Sequence, residues 1–127
     1  MTRIFFIASF LLFSNYAVGQ NQANSWYFGN KAGITFNSGN PTALTDGQTY
    51  IIDSHCEGTA SISDNDGNLL FYSNGEKVWN RNHNVMPNGN GLLGGYSSTQ
   101  SSLIAPQPET DRFYYVFTTD QFAGNDL

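Results

Sequence analysis

Between Thr59 and Asn80 the chain reads TASISDNDGNLLFYSNGEKVWN, with two apolar runs each followed by a turn dipeptide, Asp66-Gly67 and Asn74-Gly75. Both dipeptides readily adopt the positive φ that tight hairpin turns require. The pattern predicts a three-strand antiparallel meander near Thr59–Ser63, Leu69–Ser73 and Lys77–Asn80. Leu69-Leu70-Phe71-Tyr72 shows no polar alternation, so that strand should be covered on both faces. The sequence beyond residue 20 is rich in Asn, Gly, Ser, Thr and aromatic residues and poor in Lys, Glu and Ala. That composition favours strands and turns, and no helical periodicity opposes it. The expected fold class is all-β.

Other strand candidates flank the meander. Trp26-Tyr27-Phe28, ending at Gly29, is a short aromatic strand, and Gly33–Phe36 is a second. Asn37–Asn40 with Pro41 forms a turn. Thr42–Ile52 has no clear pattern apart from a turn expected at Asp46-Gly47. Asn80–Asn84 and Pro87–Ser98 read as loops. Beyond them the pattern restarts: Ser101–Ala105 echoes Thr59–Ser63, and Phe113–Thr118 echoes Leu69–Ser73. The offset is roughly 42 to 44 residues, close to the period of propeller blades. Pro106 and Pro108 suit a connection or an edge. Two incomplete blades leave long unpaired edges, a hazard that propellers avoid by closing a ring of four to eight. Residues 20–127 are therefore expected to be a partial β-propeller domain of antiparallel meanders, incomplete in this chain and the N-terminal fragment of a longer protein.

Residues 1–19 read as a signal peptide. Arg3 is the positive n-region, Ile4–Phe13 the apolar core, and Ala17-Val18-Gly19 supplies small residues for cleavage. The apolar run falls below the roughly 20 residues of a spanning helix, and no amphipathic face suggests a core helix. Gln20 rather than cysteine follows the cleavage site, so lipidation there is not expected. The expectation is an exported protein, secreted or on the cell surface, with no membrane insertion after cleavage. A single cysteine, Cys56, offers no internal bridge and reads as a small half-buried residue rather than a catalytic thiol. After cleavage, four basic residues (Lys31, Lys77, Arg81, Arg112) stand against ten acidic ones. Such a chain lacks the electrostatic footprint for nucleic acid or anionic lipid.

The motifs that could carry chemistry read mostly as structure. Gly89-Asn90-Gly91-Leu92-Leu93-Gly94 spells G-x-G-x-x-G, but neither a preceding strand nor a following helix is expected, and a nucleotide site needs both. It reads as a surface loop. Asp64-Asn65-Asp66-Gly67-Asn68 resembles the start of a calcium loop but runs straight into an apolar strand; a hairpin turn is the better reading. His55-Cys56-Glu57 would alternate across a strand rather than share a metal. Glu57, Glu76, Asp64 and Asp66 form a glycosidase pair only if the fold converges them. No spacing singles out a nucleophile, so neither catalytic residues, metal ligands nor a cofactor are assigned. Trp26, Tyr27, Trp79 and Tyr96 could stack on sugars, although Trp79 reads better as core.

An ordered series of segments resembles a known family. Trp26–Phe36 (WYFGNKAGITF) is followed by Pro41–Leu44, Ser61–Asp64, Gly67–Tyr72 and Val78–Asn80. His83, Val85–Gly89, Gly91–Gly94 and Ser98–Ser101 complete it. Together these resemble the opening of large exported proteins of gliding bacteria, the gliding-motility-associated family of type IX secretion. The resemblance implies an N-terminal β-propeller-like domain, often followed by PKD-type modules and a C-terminal sorting domain. It implies engagement of the secretion machinery through a C-terminal region absent here, and supplies no catalytic residues. The expected function is binding or adhesion within a larger exported protein, with an extracellular glycan or protein as ligand. Loop residues Asn82, His83, Asn88 and Tyr96 are the candidate binding residues. The alternatives are an extracellular carbohydrate-active enzyme, a hydrolase or lyase on a propeller scaffold, and a purely structural spacer.

Overall fold

The computed structural model describes residues 21–49, 58–95, 97–110 and 112–120. Residues 1–19, read as a signal peptide, His55-Cys56-Glu57 and Tyr96 lie outside the described residues. Among the described residues a short 3-10 turn (Asn21–Ala23) leads into three antiparallel sheets, each a run of hairpins. The first holds β1 (Ser25–Phe28), β2 (Ala32–Thr35) and β3 (Thr42–Leu44). The second holds β4 (Ala60–Ser63), β5 (Leu69–Ser73), β6 (Lys77–Asn80) and β7 (Val85–Asn90). The third holds β8 (Ser102–Pro106) and β9 (Tyr114–Thr118). Among the described residues the sheets are separate and none closes on itself.

Local chemistry accounts for the second sheet. In the β4–β5 connection Asp64 Oδ1 accepts the amides of Asp66 at 3.0 Å and Asn68 at 2.8 Å, and Gly67 turns the chain at φ 87°. In the β5–β6 connection Asn74 Oδ1 accepts the amides of Glu76 at 3.1 Å and Lys77 at 2.9 Å, with Gly75 at φ 92°. In each dipeptide the glycine alone takes the positive φ; the side-chain acceptor is Asn74 itself in the second turn, but Asp64, two residues before Asp66, in the first. The expected meander is present, and β8 and β9 fall on the two echoed segments.

Two expectations are corrected. Pro87–Asn90, read as loop, belongs to β7. This is an edge strand, where a residue with no amide to donate is tolerated. Its pairing with β6 slips between Trp79↔Val85 and Lys77↔Asn90, with Asn88 at φ 59°, so a bulge hides the strand's period. Asp46-Gly47 is not a turn: the chain runs irregularly through 45–49. Gly47 is buried there because the backbone passes Tyr27 closely, and an added Cβ would sit 2.9 Å from that ring.

The core is an aromatic stack across the first two sheets. Tyr27 of β1 lies on Tyr72 of β5 at 4.7 Å and 17°, and Tyr72 lies on Trp79 of β6 at 5.3 Å and 17°. Leu44 and Leu69 pack against it. Consecutive residues of β5 face opposite sides. Tyr72 therefore meets the first sheet, while Phe71 meets Tyr114 of the third edge-on at 5.4 Å. β5 is covered on both faces, as its unbroken apolar run predicts.

Hydroxyl groups sew the sheets together. From the strand leading into and along β4, Thr59 donates to the Tyr27 carbonyl at 2.6 Å and Ser61 to the Ser25 carbonyl at 2.8 Å. At the next seam Ser102 donates to the Ser73 carbonyl at 3.0 Å, and Ser101 to that of Gly58. The Ser/Thr-rich echo thus has a physical role: in both copies short hydroxyl side chains reach back to the preceding sheet.

Candidate functional site

The β6–β7 turn, Asn80–Asn84, is built on the plan of the β4–β5 turn. Asn80 Oδ1 accepts the amides of Asn82 at 2.9 Å and Asn84 at 3.1 Å, and the His83 amide donates to the Asn80 carbonyl at 2.9 Å. Position by position, His83 stands where Gly67 stands, and it too is left-handed, at φ 62°. For a residue with a Cβ that conformation costs roughly 1–2 kcal/mol, so something else must hold it.

What holds it is a four-residue network. His83 Nε2 lies 3.1 Å from Asp46 Oδ2, and His83 Nδ1 lies 3.1 Å from the Tyr72 hydroxyl. Tyr27 donates its hydroxyl to Asp46 Oδ1 at 3.1 Å, and the Gln48 amide donates to the Tyr72 oxygen at 3.0 Å. The imidazole also tilts over both phenol rings, 5.5 Å from Tyr27 and 5.9 Å from Tyr72. One proton arrangement satisfies every atom: Nε2–H donates to the carboxylate, and Tyr72 O–H donates to Nδ1.

Burial raises the Tyr72 phenol to about 12, with the Asp46 charge adding to it and the Gln48 amide partly offsetting it. Burial likewise pushes the Tyr27 phenol well above its ordinary value, reinforced by its hydrogen bond to Asp46, the charge of Asp46 and the nearby Tyr72. Neither phenol is ionised near neutral pH. The network has the side-chain types of acid–base chemistry, yet both imidazole nitrogens and both phenols are committed within it. Its work is to latch the segment after β3 and the β6–β7 turn onto the aromatic stack.

A separate groove of about 440 Å³ opens between the second and third sheets. Phe71, Val78, Met86 and Val116 form its apolar walls, with Asn88, Arg112, Phe113 and Tyr114 among its polar and aromatic lining. The volume lies within the range of small-ligand clefts. Phe113 and Arg112 are exposed.

The described candidate binding residues fall on the β6–β7 turn (Asn82, His83) and on β7 (Asn88). His83 joins the latch with Asp46, Tyr27 and Tyr72, none of which the loop pattern nominated beside it. Asn82 is exposed on the same turn, and Asn88 lines the groove. Of the paired-carboxylate candidates, Asp64 and Asp66 lie in the turn before β5 and Glu76 in the turn after it. The five-residue strand between them spans roughly 17 Å. Among the described residues no group of three or more His, Cys, Asp or Glu is placed to hold a metal. Gly89–Gly94 leaves β7 and doubles back on the β5–β6 turn, Gly94 donating its amide to the Gly75 carbonyl at 3.1 Å. The partnership of His83 with Asp46 had one visible sign, the residue-for-residue alignment of Asp64–Asn68 with Asn80–Asn84, which leaves a histidine in a glycine position.

No protein-family model, curated protein or solved structure matches the chain. Among the described residues no helix is long and apolar enough to cross a membrane.

Proposed function

We propose that this chain forms the first blades of a β-propeller that serves as a secreted or cell-surface binding module within a larger exported protein. The observation that carries this reading is the order in which the sheets meet. The first strand of each packs on the first strand of the next, β1 on β4 and β4 on β8. Blades arranged around an axis bring their leading strands together in this way. The hydroxyl seams from Thr59, Ser61, Ser101 and Ser102 run along those same strands or the residues leading into them.

The groove between the second and third sheets is the binding site of this proposal. Flat aromatic and aliphatic walls with an amide and a guanidinium at hand suit the face and hydroxyls of a sugar ring. The test is a polysaccharide panel with product detection on the secreted chain. Retention of one glycan without products is expected, weakened about tenfold by Arg112→Ser or Phe113→Ser. Release of shortened products would transfer the protein to the carbohydrate-active enzymes, and no retention by any glycan would overturn the glycan-binding reading.

A further inference from the structure

Three Asn-Gly pairs stand in the sequence: Asn74-Gly75, Asn88-Gly89 and Asn90-Gly91. Such a pair is chemically unstable wherever the chain around it moves. Glycine has no Cβ to shield its amide nitrogen, which can then reach the side-chain carbonyl carbon of the asparagine before it. The fold treats the three pairs differently. Asn74-Gly75 is locked: Asn74 is fully buried, its Oδ1 accepts the amides of Glu76 and Lys77, and the Gly75 amide donates to Ser73 Oγ at 3.0 Å. Asn88-Gly89 is held on one side. Asn88 is exposed, but Gly89 is buried against β6, where an added Cβ would lie 2.9 Å from the Val78 carbonyl oxygen. Asn90-Gly91 has neither restraint. Asn90 is the last residue of β7 and exposed, and an added Cβ on Gly91 would meet no atom within 4 Å. Gly91 leaves the ladder at φ 79°, just past the final β6–β7 pair, Lys77↔Asn90.

We propose that Asn90 is a site of spontaneous deamidation, and that the fold confines this modification to one of the three pairs. The Gly91 amide nitrogen gives up its proton and bonds to Asn90 Cγ; the Cγ–Nδ2 bond breaks and ammonia leaves. Water then opens the resulting succinimide at either carbonyl. The product is aspartate, or isoaspartate with the main chain running through Cγ, and nothing is oxidised or reduced. Both products place a negative charge opposite Lys77, the cross-strand partner of Asn90. The isoaspartate also inserts a methylene into the main chain before Leu92, whose amide donates to the Glu76 carbonyl at 3.0 Å. The aspartate form therefore keeps the end of the β6–β7 ladder, and the isoaspartate form loosens it. This goes beyond the binding-module reading and stands whether or not a glycan is bound.

The experiment holds the folded chain at mildly alkaline pH and follows each pair by mass spectrometry of its peptides, with fragmentation that separates aspartate from isoaspartate. Asn90 is expected to convert about tenfold faster than Asn74 or Asn88, because those two react only after local opening. In urea the shielding is gone, and the three pairs should convert within about twofold of one another. Asn90→Ser is expected to abolish the acidic species that accumulates as the folded chain ages, with circular dichroism confirming that the variant folds. An Asn90 that stays unconverted in the folded chain, or an Asn74 or Asn88 that matches its rate there, overturns the proposal.

Discussion

His83 carries an imidazole where the equivalent position of the β4–β5 turn carries no side chain, and the two costs can be separated by substitution. His83→Ala keeps the left-handed backbone penalty and loses the contacts to Asp46 and Tyr72. His83→Gly loses the contacts and is relieved of the penalty. With hydrogen bonds worth about 1 kcal/mol each and a buried partner left unsatisfied, alanine should destabilise by about 2–4 kcal/mol. Glycine should destabilise by about 1–2 kcal/mol less than alanine. Urea denaturation measures both. A glycine variant as stable as wild type would mean that the latch contributes nothing. The turn itself was legible from its Asn spacing, because Asx turns are made by residues within four positions of each other. The partner Asp46 was not: it lies across two sheets, and its neighbour Gly47 read as a turn when it is a point of close backbone approach.

At the scale of elements, β4, β5 and β6 are readable because the two connections between them are each set by a local device, an Asx side chain and a glycine at positive φ. β7 is not, because its bulge breaks the alternation that marks a strand and Pro87 imitates a loop. The seams were legible only as an echo of serines; that those hydroxyls reach back to the previous sheet depends on non-local packing. Gly75 ties these levels together. It takes φ 92°, and an added Cβ would lie 2.7 Å from the Ser101 carbonyl oxygen and 3.0 Å from its Cβ. Gly75→Ala should therefore cost more than the roughly 1–2 kcal/mol of backbone strain alone, because the β5–β6 turn must also move off the third sheet. Ser102→Ala, which only removes the buried donor to the Ser73 carbonyl, should cost about 1–3 kcal/mol. Thermal melts of the two variants rank them. Equal or reversed losses would show that the turn does not press on the third sheet.

Across the whole molecule the two seams differ in chemistry, and that difference has a pH signature. The seam between the second and third sheets is made by Phe71 edge-on to Tyr114, whereas the seam between the first and second buries two phenols around Asp46. Both phenols are raised above their ordinary value of 10.0, Tyr72 to about 12 and Tyr27 in the same direction. A group whose folded pKa is raised holds its proton more tightly when folded. Its contribution is complete below the unfolded value and declines as pH climbs from about 10 towards the folded one. Stability should thus be flat in this respect up to pH 10 and fall steadily above it, as the unfolded phenols lose protons that the folded ones, buried beside Asp46, retain. Tyr72→Phe removes one of the two titrating groups, so its stability falls less steeply over the alkaline range even though its neutral-pH stability is lower. Denaturant midpoints at half-unit steps through that range give the slopes. Identical slopes for variant and wild type would show that the phenols do not govern the first seam. A shallower slope in the variant would locate the alkaline weakness of the molecule between its first and second sheets.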